Sequence, residues 1–216
     1  NAFGQFTITF TVSDGEVEAT EYFPVTITPV NDAPVLTVYD ITVNEQATAN
    51  RTATATDVET APGDLVYSLA SPASHGTATV NANGQYSYTS DVDYNGSDSF
   101  QITVTDEGGL TDTKTVNVTV QFVNDAPDAV NDSYTVSESA TATTFNVLVN
   151  DTDVDLIYGD SLTITNVSTP THGTAVINDN KIDYTPQQYN NKPVTFTYTI
   201  TDEHGGTDTA TVSVTV

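Results

Sequence analysis

Twenty-nine of the 216 residues are Asp or Glu, against four Lys or Arg. The acids are grouped rather than scattered. Asp57, Glu59 and Asp64 form one group, Asp91, Asp93 and Asp98 a second, and Asp151, Asp153 and Asp155 a third. Asp-x-Asp spacing in a loop can turn two carboxylates toward one point. Carboxylate and carbonyl oxygens are the ligands of hard cations, and calcium takes about six to eight of them. Asp is also common in turns, where it bonds its own backbone and keeps the surface soluble, and for an isolated pair that reading is sufficient. Recurrence of the whole set at matching offsets favours calcium instead. Asp153-Val154-Asp155 stands 96 positions after Asp57-Val58-Glu59, and Asp160 answers Asp64. Asp91-x-Asp93-x-Asn95-Gly96 also matches the opening of an EF-hand loop, but Ile102 stands where that loop needs its closing Glu, so this segment reads as a junction ligand or a plain turn.

Other chemistry finds little support. The three His are His75, His172 and His204, and two of them recur in a His-Gly-Thr phrase, which suits a turn or packing residue better than a base. There is no G-x-S-x-G, no H-E-x-x-H and no phosphate-cradling glycine loop, so no enzyme is expected. Cysteine is absent, which excludes disulfides and thiol catalysis. Lys114 and Lys181 read as surface lysines rather than isopeptide donors. A formal charge of -25 makes nucleic acid and anionic membrane poor partners. No run of about 20 apolar residues exists, so no membrane insertion is expected.

The elements that must position these acids are organised by a repeated phrase. Val30-Asn31-Asp32-Ala33-Pro34 returns 93 residues later as Val123-Asn124-Asp125-Ala126-Pro127. Each copy lies between runs in which apolar residues alternate with Thr. Proline removes a backbone donor and fixes φ, so it ends one strand and stiffens the passage to the next. The expected domains are a partial closing hairpin at 1–30, a full repeat at 31–123 and a second at 124–216. The hairpin is expected to belong to a preceding repeat of a larger protein, or to complete a neighbouring chain by strand exchange. Its Ser13-Asp14-Gly15 turn matches Asp106-Glu-Gly-Gly109 and Asp202-Glu-His-Gly-Gly206 at the ends of the later repeats. About seven short strands per repeat, with period-two alternation and β-branched residues throughout, give an all-β reading as tandem antiparallel β-sandwiches. Tyr67, Tyr86, Tyr88, Phe100, Ile102 and Val104 are expected to spread over inner and outer faces, with the last three on one face.

Over nearly its whole length the chain resembles the cadherin-like and immunoglobulin-like tandem repeats of giant bacterial adhesins of the RTX type, exported by type I secretion. Asn124-Asp125-Ala126-Pro127 is similar to the cadherin linker D-x-N-D-N-x-P, though shorter. Asp153-Val154-Asp155 resembles the D-x-D that follows it, Asp91-Val92-Asp93 the D-R-E, Glu45 the early Glu, and Asp106 the Asp of the last hairpin. The resemblance implies calcium at two places. One junction would gather Glu45, Asp91 and Asp93 with Asn124 and Asp125 of the linker and Asp153, Asp155 and Asp202. The other would use Asn31, Asp32, Asp57, Glu59 and Asp106. Pro186-Gln187-Gln188 stands where the first repeat has Asp91-Val92-Asp93, so the far end of the second repeat has lost its carboxylates. The implied role is a calcium-stiffened extender on the bacterial cell surface, secreted and extracellular, acting in adhesion or biofilm formation, with adjacent repeats of the same polypeptide as partners. The alternative is a module that binds a carbohydrate or protein ligand at a loop end through Tyr94, Tyr158 or Tyr189.

Overall fold

The computed structural model describes residues 3–28 and 30–216; Asn1, Ala2 and Pro29, which belong to the segment read as a closing hairpin, lie outside the described residues. The chain divides into two units, Asn1–Phe122 and Val123–Val216. Unit 1 runs through β1 (Gly4–Ser13), β2 (Glu18–Ile27), β3 (Val35–Thr37), β4 (Ile41–Asn44), β5 (Thr48–Thr52), β6 (Thr54–Thr56), β7 (Val66–Ser71), β8 (Gly76–Val80), β9 (Gln85–Ser90), β10 (Gly96–Thr105) and β11 (Thr111–Gln121). Unit 2 runs through β12 (Asp132–Thr135), β13 (Thr143–Phe145), two 3-10 turns at Val147–Val149 and Val154–Tyr158, then β14 (Thr163–Val167), β15 (Thr174–Asn178), β16 (Lys181–Thr185), β17 (Val194–Thr201) and β18 (Thr207–Thr215).

Each unit holds one sandwich. In unit 1 the sheet β4-β11-β10-β7 faces the sheet β5-β9-β8, and β3 pairs with β6 beside them. In unit 2 the sheets are β12-β18-β17-β14 and β13-β16-β15. The ladders are antiparallel except at one edge of each unit, where β4 runs parallel to β11 and β12 parallel to β18. The exception follows from a split opening strand. Its first part pairs with the strand before the Asp-x-Asp turn, and its second part crosses over to the closing hairpin. In unit 2 the first pairing shrinks to a single bridge, Asp128 with Thr152, which occupies the place of Val35 with Thr56 in unit 1.

Alternation along the closing hairpins builds the cores. Phe100, Ile102 and Val104 of β10 and Val116, Val118 and Val120 of β11 are all buried, and Phe196, Tyr198, Ile200, Val212 and Val214 repeat the arrangement. Burying each such side chain stabilises the fold by about 1.5–3 kcal/mol. Outward positions carry threonine pairs, Thr103 with Thr113 at 2.6 Å and Thr199 with Thr209 at 3.0 Å. The tyrosines expected on both faces lie on one: Tyr67, Tyr86 and Tyr88 are buried with Phe100, Ile102 and Val104. A phenol can enter a core when its hydroxyl finds a partner at the rim. Tyr86 donates to Tyr39 O at 2.6 Å, and Tyr88 contacts His75 O at 2.9 Å and Asp98 Oδ2 at 3.0 Å.

The recurring His-Gly-Thr phrase is explained by the same rule. Tyr184 donates to His172 O at 2.9 Å, as Tyr88 does to His75 O. The intervening glycine leaves room for the ring. A Cβ at Gly76 would fall on Thr89 O and the Tyr88 phenol, and one at Gly173 on Thr185 O and the Tyr184 hydroxyl. The backbone carbonyl of each His therefore has the structural role, while the His75 ring stacks on Tyr94 at 4.0 Å.

Candidate metal centre

In unit 2 the Asp-x-Asp pair follows the Asp128–Thr152 bridge, with Asp153 capping the second 3-10 turn and Asp155 inside its first turn. Asp153 is extended, with φ -151 and ψ 135, and its Oδ1 accepts the Asp155 N–H at 2.8 Å, which caps the turn. Its other oxygen, Oδ2, is buried and has no hydrogen-bond partner. Asp155 is buried, and its Oδ2 accepts the Asp125 N–H at 2.9 Å, fastening the Asn124–Pro127 segment to the sandwich that follows it. The turn closes on Gly159 at φ 100, a left-handed position that glycine occupies without strain. It delivers Asp160 beside the pair, so that one carboxylate oxygen from each of Asp153, Asp155 and Asp160 lies within 4.8 Å of the others.

Hydrogen bonds hold the surrounding acids in place. Asp160 Oδ1 accepts the N–H groups of Ser161 at 2.7 Å and Glu203 at 2.9 Å, and its Oδ2 lies 3.4 Å from His204 Nδ1. Asp202 Oδ1 accepts from His204 and Gly206 N–H at 2.8 Å each, and its Oδ2 accepts Asn124 Nδ2 at 2.9 Å. These contacts set the charges. The Glu203 N–H, followed by that of Ser161, holds Asp160 below the usual carboxylate range. For Asp202 burial opposes the charge, but Asn124 and the turn N–H groups outweigh it and its pKa falls. Asp153 is pushed up, first by burial and then by the negative charges of Asp155, Asp160 and Asp202. A cluster of acceptor-only oxygens, one of them buried without a donor, has the chemistry of a hard-cation site.

Unit 1 repeats part of this plan. Asp57 Oδ1 accepts the N–H groups of Glu59 at 2.9 Å and Thr60 at 2.6 Å, and Asp57 Oδ2 is buried with no hydrogen-bond partner. Glu59 Oε2 accepts the Asp32 N–H at 3.1 Å, and Asn31 Nδ2 donates to Asp106 Oδ2 at 2.8 Å. Asn31, Asp32, Asp57, Glu59 and Asp106 are thus joined in one network within unit 1. Asn124, Asp125, Asp153, Asp155 and Asp202 are joined in its counterpart in unit 2. The counterparts differ at the last acid: Asp64 is exposed, and among the described residues only Asp160 is gathered with an Asp-x-Asp pair.

At the other end of unit 1, one oxygen each of Glu45 and Asp93 lie within 4.8 Å. Glu45 is buried and its N–H donates to Gln121 O at 3.0 Å; Asp93 Oδ1 accepts Gln46 Nε2 at 2.8 Å. Asp91 is exposed, with its N–H on His75 O at 3.0 Å. Asp98, grouped with them by sequence, serves the turn instead, accepting from Ser74, His75 and Ser99 N–H and from Tyr88. In unit 2 Glu138 is exposed. The three loop tyrosines differ: Tyr94 packs against the core and donates to Ser97 O at 2.7 Å, Tyr158 is half exposed, and Tyr189 is 91% exposed. Lys114 pairs with Asp112 at 3.3 Å.

Sequence reasoning passed over Asp160 and two glycines. Asp160 was visible as the counterpart of Asp64 at the offset of the Asp-x-Asp pairs. A Cβ at Gly108 would fall on the Asn31 side chain, and one at Gly206 on Asp202 Oδ2 and near Ala126 Cα. The Gly-Gly of each closing turn therefore makes the space in which the linker Asn reaches its Asp.

Residues 31–122 match the family model described as the bacterial cadherin-like domain, and residues 124–215 match that of the bacterial Ig domain. No curated protein matches the chain in sequence. Among solved structures, mouse cadherin-23 EC22-24 is 21% identical with a TM-score of 0.61, covering 98% of this chain and 74% of that one. Protocadherin gamma B2 domains 1-5 is 14% identical with a TM-score of 0.66, covering 100% and 46%. Drosophila N-cadherin EC1-4 is 16% identical with a TM-score of 0.58, covering 100% and 58%. The chain thus spans about half to three quarters of the length of these structures. At such identities the likeness is one of fold, all-β and cadherin-like.

Proposed function

We propose that these are calcium-stiffened extender repeats of a large bacterial surface adhesin, secreted and extracellular, of the RTX type, acting in adhesion or biofilm formation. Bacterial cadherin-like and Ig-like repeats fit an extracellular adhesin, and no helix among the described residues is long and apolar enough to cross a membrane. Families of this kind are structural and adhesive rather than enzymatic. The observation that carries the reading is the buried, unpartnered Oδ2 of Asp153 beside Asp155 and Asp160. The oxygens of Asp153, Asp155 and Asp160 would hold the ion, with Asp202, Asn124 and Asp125 around them. Asp57, Glu59, Asp106, Asn31 and Asp32 would do the same in unit 1, and Glu45, Asp93 and Asp91 complete the proposed ligand set.

A divalent cation supplies positive charge that offsets the repulsion among the carboxylates. The protein's part is mechanical. Asp155 and Asp202 already grip the Asn124–Pro127 segment through Asp125 N–H and Asn124 Nδ2. When these acids are drawn onto one ion, the segment is pinned to its sandwich and the chain stiffens where it enters the repeat. Binding to the folded state alone also stabilises it by mass action. Affinities near 10⁻⁴ to 10⁻³ M in order of magnitude suffice outside cells.

The test is a calcium titration of the full chain and of the Asp153→Asn/Asp155→Asn variant, followed by calorimetry and amide exchange. Calcium is expected to raise the melting temperature of unit 2 and to protect the amides of Asn124, Asp125 and Ala126, with both effects lost in the variant while its sandwich stays folded. If neither quantity in the parent responds to millimolar calcium, the extender reading loses its mechanism.

A further inference from the structure

The hairpin β1-β2 pairs only with itself among the described residues, and its apolar face lies open. The register puts Ile8, Phe10, Val12, Phe23, Val25 and Ile27 on one side, 38–71% exposed, with Thr7, Thr9 and Thr11 on the other. So large an apolar face in a chain of charge -25 calls for a cover.

The chain itself shows what covers such a face. β1 and β10 are each ten residues long and each begins at a glycine of positive φ, 139 at Gly4 and 134 at Gly96. The pair Ile8–Phe23 stands where Phe100–Val116 stands in unit 1 and Phe196–Val212 in unit 2. In both units that face is buried, and an aromatic strand lies over it: Tyr86 and Tyr88 of β9 sit 5.9 and 6.3 Å from Phe100, and Tyr184 of β16 sits 6.0 Å from Phe196. The edges correspond as well. β10 pairs with β7 and β11 with β4, whereas among the described residues the outer edges of β1 and β2 pair with no strand. Finally, β2 leads into Asn31-Asp32-Ala33-Pro34 as β11 leads into Asn124-Asp125-Ala126-Pro127.

We propose that β1 and β2 are the closing hairpin of a third sandwich, and that their apolar face and both edges dock onto an incomplete sandwich built from counterparts of β3–β9. The occupant belongs to the same polypeptide. The hairpin stands directly before the linker phrase, the place that β10-β11 takes after its own β3–β9. The covering sheet must bring a tyrosine-bearing strand over Ile8, a β7-type strand beside β1 and a parallel β4-type strand beside β2.

The chain contains no Trp, so one indole reports on this face. Three chains are compared by emission and acrylamide quenching: Ile8→Trp in the full chain, Phe100→Trp in the full chain, and Ile8→Trp in the full chain carrying a copy of residues 31–95 joined directly to Gly4. The indole at position 8 is expected to be quenched freely in the first. In the extended chain its emission should shift to the blue, and quenching should fall several-fold, to the level of Phe100→Trp. The proposal is overturned if the extended chain leaves position 8 as quenchable as before, or if amide exchange finds the added strands unfolded, since the same strands fold against β10-β11. It is equally overturned if position 8 is already shielded in the unextended chain together with a doubled mass, because a second copy is then the cover.

Discussion

Tyr198→Phe removes one hydroxyl from the core of unit 2 and should cost far more than its size suggests. The Tyr198 hydroxyl lies 3.0 Å from both oxygens of Asp151 and 3.0 Å from Asp132 Oδ2. Asp151 is 7% exposed, and its remaining donor is the Val130 N–H at 2.8 Å. Burial, with smaller repulsion from Asp128 and Asp208, raises the Asp151 pKa, so this acid depends on every donor it has. Unit 1 solves the same position without polar groups: Ile102 stands in place of Tyr198 and Ala55 in place of Asp151, both buried. Leaving a buried carboxylate short of a donor costs about 1–3 kcal/mol, whereas replacing both partners by apolar groups is nearly neutral. We expect Tyr198→Phe to destabilise unit 2 by about 2 kcal/mol, a fall of roughly 8–16 °C in its melting temperature for a domain of this size. Asp151→Ala/Tyr198→Ile, which copies unit 1, should recover at least half of that loss, because Asp132 is only partly buried. Calorimetry of the full chain in calcium-free buffer measures both. A Tyr198→Phe transition within about 0.5 kcal/mol of the parent would refute the reasoning, as would a double variant no more stable than the single one.

Three further outcomes are expected. Asp98 has its pKa lowered because hydrogen bonds from Ser74, His75 and Ser99 N–H and from Tyr88 together outweigh the opposing effect of burial. Its contribution to stability is therefore complete above its ordinary value of 3.8 and lost as pH falls below it through the depressed value; in Asp98→Asn this part of the acid limb should vanish from a melting-temperature profile between about pH 2 and 4. Gly173→Ala places a Cβ at φ 84 against Thr185 O and the Tyr184 hydroxyl, and chemical denaturation should show a loss of at least about 2 kcal/mol, since the left-handed position alone costs roughly 1–2 kcal/mol. Gly206→Ala should separate Asn124 from Asp202 while leaving β17 and β18 paired; calcium affinity by calorimetric titration is expected to fall about tenfold, as for loss of groups that orient ligands.

The sequence by itself determined the all-β character and the shared inward row of Phe100, Ile102 and Val104, because period-two alternation acts over a few residues. It also paired corresponding residues between repeats, since an offset can be read without coordinates. Only the tertiary structure decided which acids meet. Asp160 and Asp64 are counterparts in sequence, yet a 3-10 turn ending on Gly159 brings Asp160 to Asp153 and Asp155, while Asp64 stays exposed. Asp98 sits among acids in sequence, but strand pairing hands it to the Tyr88 hydroxyl. Alternation puts Tyr86 and Tyr88 on one face, but that this face turns into the core depends on acceptors for their hydroxyls, Tyr39 O and His75 O, which come from distant loops. The direction of β4 and β12 likewise followed from a crossover that local alternation does not encode, since a strand's side-chain period is the same whether its neighbour runs parallel or antiparallel.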